Sequence, residues 1–251
     1  MGCGSGYETK NIEDKKCQDL SGWTGTGLTL ETLRSKLLGG DISKDVYVYT
    51  VYTTRLDKNL KVVRHLGSGP NLEGGLATLC TCKHSMRKYH TCEDWKDRWI
   101  LGLTSRDKKH GFNDEHYLFY MMKIEKAFES HKELYEYLDT EQNRKFLQIK
   151  NVVNNRLGDI FEPKSTCTCT NSLDPMMYKK PIENHSHAEN GHTDWYDDIA
   201  YTPLLLGDKN KTFVWTQPMI IFTQDRGVGN KKLTIEDLFR EGEGAFLKAC
   251  K

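Results

Sequence analysis

Two segments of this chain concentrate the residue types that perform chemistry. In TLCTCKHSMRKYHTCEDWKDRWILG, Cys80, Cys82, His84, His90 and Cys92 bring thiols and imidazoles, with Lys83, Arg87 and Lys88 interleaved and Arg98 close behind. Thiolates and imidazoles are zinc ligands, and on a strand Cys80 and Cys82 would point to the same face. Their spacing is not the C-x2-4-C knuckle of a structural site, so the expectation is no metal and buried strand thiols. The same stretch mixes cations with Tyr89, Trp95 and Trp99, the combination of phosphate contacts and stacking rings that nucleic-acid sites use, although tryptophans near strands are commonly core.

The second segment, IENHSHAENGHTDWYDDIAYTP, carries His185, His187 and His192 ahead of Asp194, Asp197 and Asp198. Imidazoles and carboxylates in one loop can do general acid/base work once burial or a neighbouring charge brings a pKa toward neutrality. The alternatives are a divalent-metal ligand set or a solvated loop. Cys167 and Cys169 repeat the Cys-x-Cys spacing with nothing adjacent to complete a site. Asp225 and Arg226 read as a surface pair, and Gly227 and Gly229 are too short a pattern for a dinucleotide loop, so no cofactor is expected.

These groups need elements to hold them. LTLETLRSKLLGG has leucines at helical spacing, stopped by Gly39 and Gly40, in an otherwise Gly- and Thr-rich residues 1–44 read as an N-terminal extension with one short helix. DVYVYTVYTT, LATLCTC, RWILGLTS and HYLFYMMKIEKAF read as strands, the last two joined by the polar RDKKHGFND. SHKELYEYLDTEQNRKFLQI reads as a helix in which Ser130 and Glu133 form a capping box. Residues 151–211 are loop-like; KTFVWTQPMIIF is a strand interrupted at Pro218, and LTIEDLFREGEGAF a helix capped by Thr234. Strands before and after a middle helix predict an α+β domain over residues 45–251, with a mixed, curved sheet or partly open barrel and flanking helices.

Composition limits the function classes. Lys and Arg total 36 against 35 Asp and Glu, a net charge of +1, so any surface for a polyanion must be a local patch. With 37% hydrophobic residues and a mean hydropathy of −0.67, no run approaches the ~18 apolar residues of a spanning helix, and no membrane partner is expected. The start MGCGSGYETK lacks a signal peptide's basic and apolar regions, and Gly6 stands where an acylation signal requires Ser or Thr. A cytoplasmic protein with reduced thiols is expected.

The order DVYVYTVYTTRLD, LATLCTCKHSMRK, RWILGLTS, HYLFYMMKIEKAFESHKELYEYL resembles the second type of nucleotide-modification-associated domain. That family opens with a Tyr-rich strand ending in Arg-Asp, continues with Thr-Leu-Ala-Thr-Cys-Lys-Pro-x-Ile-Arg, and has Gly-Asp-Trp-Ile before a strand and helix. Cys82, Lys83 and Arg87 fall on matching positions; RLGDIFEP places Asp159 on its Gly-Asp-x-Ile-Tyr turn, and NHSH places His185 and Ser186 on a late His-Ser motif. The similarity covers roughly residues 45 to 222 and departs at three points. Leu56 separates Arg55 from Asp57, Asp97 and Arg98 stand for Gly-Asp, and His84 replaces the family's Pro.

The resemblance implies a bacterial or phage system that makes, reads or attacks modified DNA bases. Its partner would be DNA carrying modified bases, and anti-phage defence a setting the resemblance implies. A base in a duplex must leave the stack to be processed, and aromatic faces hold it. Tyr47, Tyr49, Trp95 and Trp195 are the candidate base pocket, and Lys83, Arg87, Lys88, Arg98 and Arg55 the candidate DNA contacts. The expected activity is that of a DNA glycosylase, with Asp197, Asp198 and Asp159 as carboxylates that act on water or on the cationic sugar, and His185 in support. A non-catalytic reader of the same bases is the alternative.

Overall fold

The structure, a computed structural model, describes residues 17–23, 28–38, 45–65, 70–106, 114–182, 193–223, 231–240 and 245–248. The fold is α+β, with a mixed sheet that curls as a partly open barrel. The chain divides into two compact units, one of residues 1–22, 66–96 and 125–209, the other of residues 23–65, 97–124 and 210–251. The expected helix of residues 1–44 forms as α1 (Leu30–Leu38), and its Leu33 and Leu37 are buried in the second unit's core.

In that second unit β1 (Val46–Val51) pairs in parallel with β5 (Trp99–Thr104), which pairs antiparallel with β6 (His116–Phe128), a strand whose residues from Glu125 on belong to the first unit. Beyond β6 lie β8 (Ile220–Phe222) and β10 (Phe246–Lys248), and beyond β1 lies β9 (Lys231–Leu233). A short hairpin of β2 (Thr54–Leu56) and β3 (Val62–His65) follows β1. Every residue of β1 is buried, so both faces of its alternating pattern are covered. Val46 and Val48 join the core with Leu101, Met121 and Trp215, and the Tyr49 hydroxyl lies 2.6 Å from that of Tyr120. Gly102 is required there, because a Cβ would fall 2.1 Å from the Tyr120 ring.

The first unit holds β4 (Thr78–Leu79), α2 (His84–Arg87), α3 (Cys92–Trp95), α4 (His131–Leu138), α5 (Arg144–Lys150) and α6 (Thr193–Ala200). β7 (Leu204–Val214) pairs with β4 through Leu205 and Leu206. Four sequence expectations change here. The strand over LATLCTC ends at Leu79, so Cys80 and Cys82 are not alternating strand residues. The long middle helix breaks over the polar DTEQN into α4 and α5. The loop-like residues 151–211 contain α6 and most of β7. At α4 the Ser130 side chain accepts from the Glu133 amide at 3.2 Å, but the Glu133 carboxylate accepts from the Glu129 amide, one residue before the position a capping box uses. The cap at Thr234 forms in full on α7 (Ile235–Phe239).

Candidate functional site

The site residues are placed by two short turns of helix in the first unit. After β4 the chain bends, and Lys83 adopts left-handed backbone geometry at φ 61°, a conformation costing a non-glycine residue about 1 kcal/mol. His84 and Arg87 follow three residues apart, a spacing that puts both on one face of α2. That face meets α6. The His84 Nε2–H donates to Asp198 Oδ1 at 3.0 Å, and the imidazole packs on the Tyr201 ring with centroids 4.4 Å apart. The Arg87 Nη1 donates to the carbonyls of Tyr201 and Pro203, while its Nε donates to the Cys82 carbonyl at 2.9 Å.

Helical periodicity decides which acidic residue joins the site. Trp195, Asp198 and Ile199 lie on the buried stripe of α6, and Asp197, one residue away, is exposed. Trp195 and Ile199 pack with Phe161 and Tyr178, and this apolar contact holds Asp198 inward. The carboxylate of Asp198 is 3% exposed and the imidazole of His84 21%, so the pair has a buried acceptor and a partly open imidazole. His131, the first residue of α4, touches the same place from behind. Its Nδ1 accepts from the Phe161 amide at 3.3 Å, so its proton sits on Nε2, which donates to the Asp198 carbonyl at 3.3 Å. Burial pushes the His131 pKa down to about 3, further lowered by the Arg87 charge and opposed by that hydrogen bond.

A second group of buried ionisable residues lies in the same unit. Asp159 is 0% exposed, and its Oδ2 accepts from Thr78 Oγ1 at 2.6 Å. Burial raises its pKa to about 6, against the opposing charge of Lys150. Lys150 Nζ donates to the Asn71 carbonyl and side chain at 3.0 and 2.9 Å, and burial lowers its pKa to about 8. Burial, then the neighbouring Asp159 carboxylate, holds the Cys80 pKa well above its ordinary value, which keeps this thiol protonated and unreactive. Arg87 Nη2 and Asp159 Oδ1 are buried without a hydrogen-bond partner among the described residues. Gly158 precedes Asp159 because a Cβ there would lie 2.7 Å from the backbone of residues 150–152, where Asn151 and Ile160 form a bridge.

The remaining candidates are dispersed. Arg87 is fully buried, and its Nε and Nη1 donate to backbone carbonyls. Lys88 is exposed, its Nζ 3.9 Å from the Tyr201 ring centroid, and Lys83 is half-buried. Arg98 pairs with Asp45 at 2.7 Å and Arg55 donates to the Tyr52 and Thr54 carbonyls, both in the second unit. Of the residues expected as a base pocket, Tyr47 and Tyr49 are buried in the second unit and Trp95 and Trp195 in the first, Trp95 donating to the Arg87 carbonyl at 2.7 Å. His185 lies outside the described residues. No group of three or more metal-ligating side chains converges among the described residues. Two hollows of about 410 and 430 Å³, lined by Glu129, Glu133 and Cys169 and by Tyr135, Arg144 and Asn154, include neither His84 nor Asp198.

Sequence reasoning named Asp198 and Asp159 but assigned no proton-transfer role to His84, and it passed over His131 and Lys150. The only local signal was the Ser130 cap, which makes His131 the first residue of a helix; burial of the imidazole and of the lysine has no sequence signature.

No curated protein matches this chain, and no solved structure does. The profile of the family described as nucleotide modification associated domain 2 matches residues 59–208, a span that contains β4, α2 through α6 and each of His84, Arg87, His131, Lys150, Asp159 and Asp198. That family's description ties the domain to modified nucleotides. Since the match covers more than half of the 251 residues, the chain belongs to the nucleotide modification associated domain 2 family.

Proposed function

We propose that this protein hydrolyses the N-glycosidic bond of a modified base in DNA, with His84 as the proton-transfer residue and Asp198 as the carboxylate that orients it. The reading rests on one observation, the 3.0 Å contact between a buried carboxylate and a partly exposed imidazole beside the cationic Lys83 and Lys88. A carboxylate behind an imidazole sets its tautomer and supports the charge it gains on accepting a proton. His84 takes a proton from a water directed at C1′ of the sugar. The water oxygen bonds to C1′ as the C1′–N bond breaks; the electron pair of that bond leaves with the base, and the proton held on His84 passes to it, so one water is consumed and His84 is restored. Lys83 and Lys88 meet the flanking phosphates.

The test uses duplexes that carry different cytosine modifications. After incubation and alkaline heating, strand breaks at the modified position report abasic sites, and a free base appears by mass spectrometry. Retention of modified DNA without base release in every substrate would reject hydrolysis in favour of a reader.

A further inference from the structure

We infer that His131 is a positioning residue for the His84–Asp198 pair, holding α6 through the Asp198 backbone so that the carboxylate meets His84. The inference rests on the proposed role of that pair but reaches a residue behind it, in contact with the Asp198 backbone. α6 is only eight residues long, and the carbonyls of its last turn have no partner within the helix. Two buried side chains satisfy carbonyls at this end: His131 at Asp198 and Arg87 at Tyr201 and Pro203. Arg87 acts beyond the last helical residue, whereas His131 grips the residue that carries the carboxylate.

The imidazole is itself held. Its Nδ1 accepts from the Phe161 amide, and its ring packs edge-on to Phe161 and Tyr178 with centroids 4.9 and 6.2 Å away. Tyr178 is fixed in turn, its hydroxyl donating to the Ser172 carbonyl at 2.6 Å and accepting from the Lys132 amide at 3.2 Å. With Nδ1 committed as an acceptor, Nε2 can only be a donor, and the carbonyl of Asp198 is its acceptor. A lost donor here would release the α6 end and loosen the angle at which Asp198 Oδ1 receives His84. A generic core residue would not need this tautomer.

Two substitutions separate the roles. Gln places an amide N–H near the position of Nε2, and Asn places its amide near Nδ1. The readout is the NMR titration of the His84 ring in the unliganded full-length chain, with Asp198→Asn as reference. In His131→Asn the His84 midpoint should move at least halfway from its wild-type value to that in Asp198→Asn; in His131→Gln it should stay near wild type. Equal shifts in both variants, or none in either, would overturn the inference. Nitrogen chemical shifts of wild-type His131 give a check independent of whether the variants fold: an Nδ1–H tautomer would also overturn it. If Asp198→Asn itself leaves His84 unmoved, the pair fails and with it the proposed mechanism, a different result from failure of His131 alone.

Discussion

Asp197 and Asp198 are consecutive, yet α6 turns the first to solvent and the second onto His84. The two carboxylates, equivalent on the sequence, should therefore separate functionally. Asp198→Asn should lower base release by about 10² to 10³-fold while DNA retention is kept, since orientation of the imidazole is needed in the transition state more than in binding. Asp197→Asn should stay within about twofold of wild type. Single-turnover rates on one active substrate decide this, and equal losses in both variants would discard the assignment.

Lys83 and Lys88 are predicted to carry the salt dependence of DNA binding in this unit. Replacing both with Ala should reduce the slope of log K against log salt by about 2 if each meets one phosphate. Fluorescence anisotropy across a salt titration measures the slope; a slope equal to wild type would remove both residues from the interface.

Arg87 should behave as a stability residue. Its guanidinium serves three carbonyls, so Arg87→Met leaves those acceptors unsatisfied and should cost about 3 to 5 kcal/mol by urea unfolding. A variant as stable as wild type would mean that these bonds are not made in solution.

Gly158→Ala should destabilise by about 1 to 3 kcal/mol, because the added methyl meets backbone that cannot move without displacing Asp159. Thermal unfolding is sufficient to test it. An unchanged midpoint would show that the bridge between Asn151 and Ile160 is looser than described.

The pH dependence of stability has opposing contributions. His131 has a folded pKa of about 3 against an ordinary 6.5, so on acidification the unfolded chain takes a proton that the folded one refuses, and stability is lost as pH falls from 6.5. Asp159 has a folded pKa of about 6 against an ordinary 3.8: the folded chain keeps the proton longer, and stability is gained as pH falls from about 6 to 3.8. Lys150, at about 8 against 10.5, gains stability only as pH rises through that alkaline window. Asp159→Asn removes the compensating contribution, and its urea midpoint should fall more steeply than that of wild type between pH 6 and 3.8. Parallel curves would contradict the shift of Asp159.

The sequence by itself determined the α+β class, the strands β1, β5 and β6, the caps at Ser130 and Thr234, and the family. Each is set by local periodicity, by side chains bonding backbone within three residues, or by a run of matched motifs. It also named Asp198 and Asp159 as carboxylates of interest. Only the tertiary structure decided which groups lie together. His84 and Asp198 are 114 residues apart, and nothing in the spacing of either segment announces a 3.0 Å contact. Burial likewise depends on what packs above a residue, so Arg87 reads as a surface cation beside Lys88 until α6 and its following segment cover it. The tyrosines and tryptophans are undecided on the sequence for the same reason: aromatic composition suits a base pocket and a core equally, and packing against neighbouring elements buries Tyr47, Tyr49, Trp95 and Trp195.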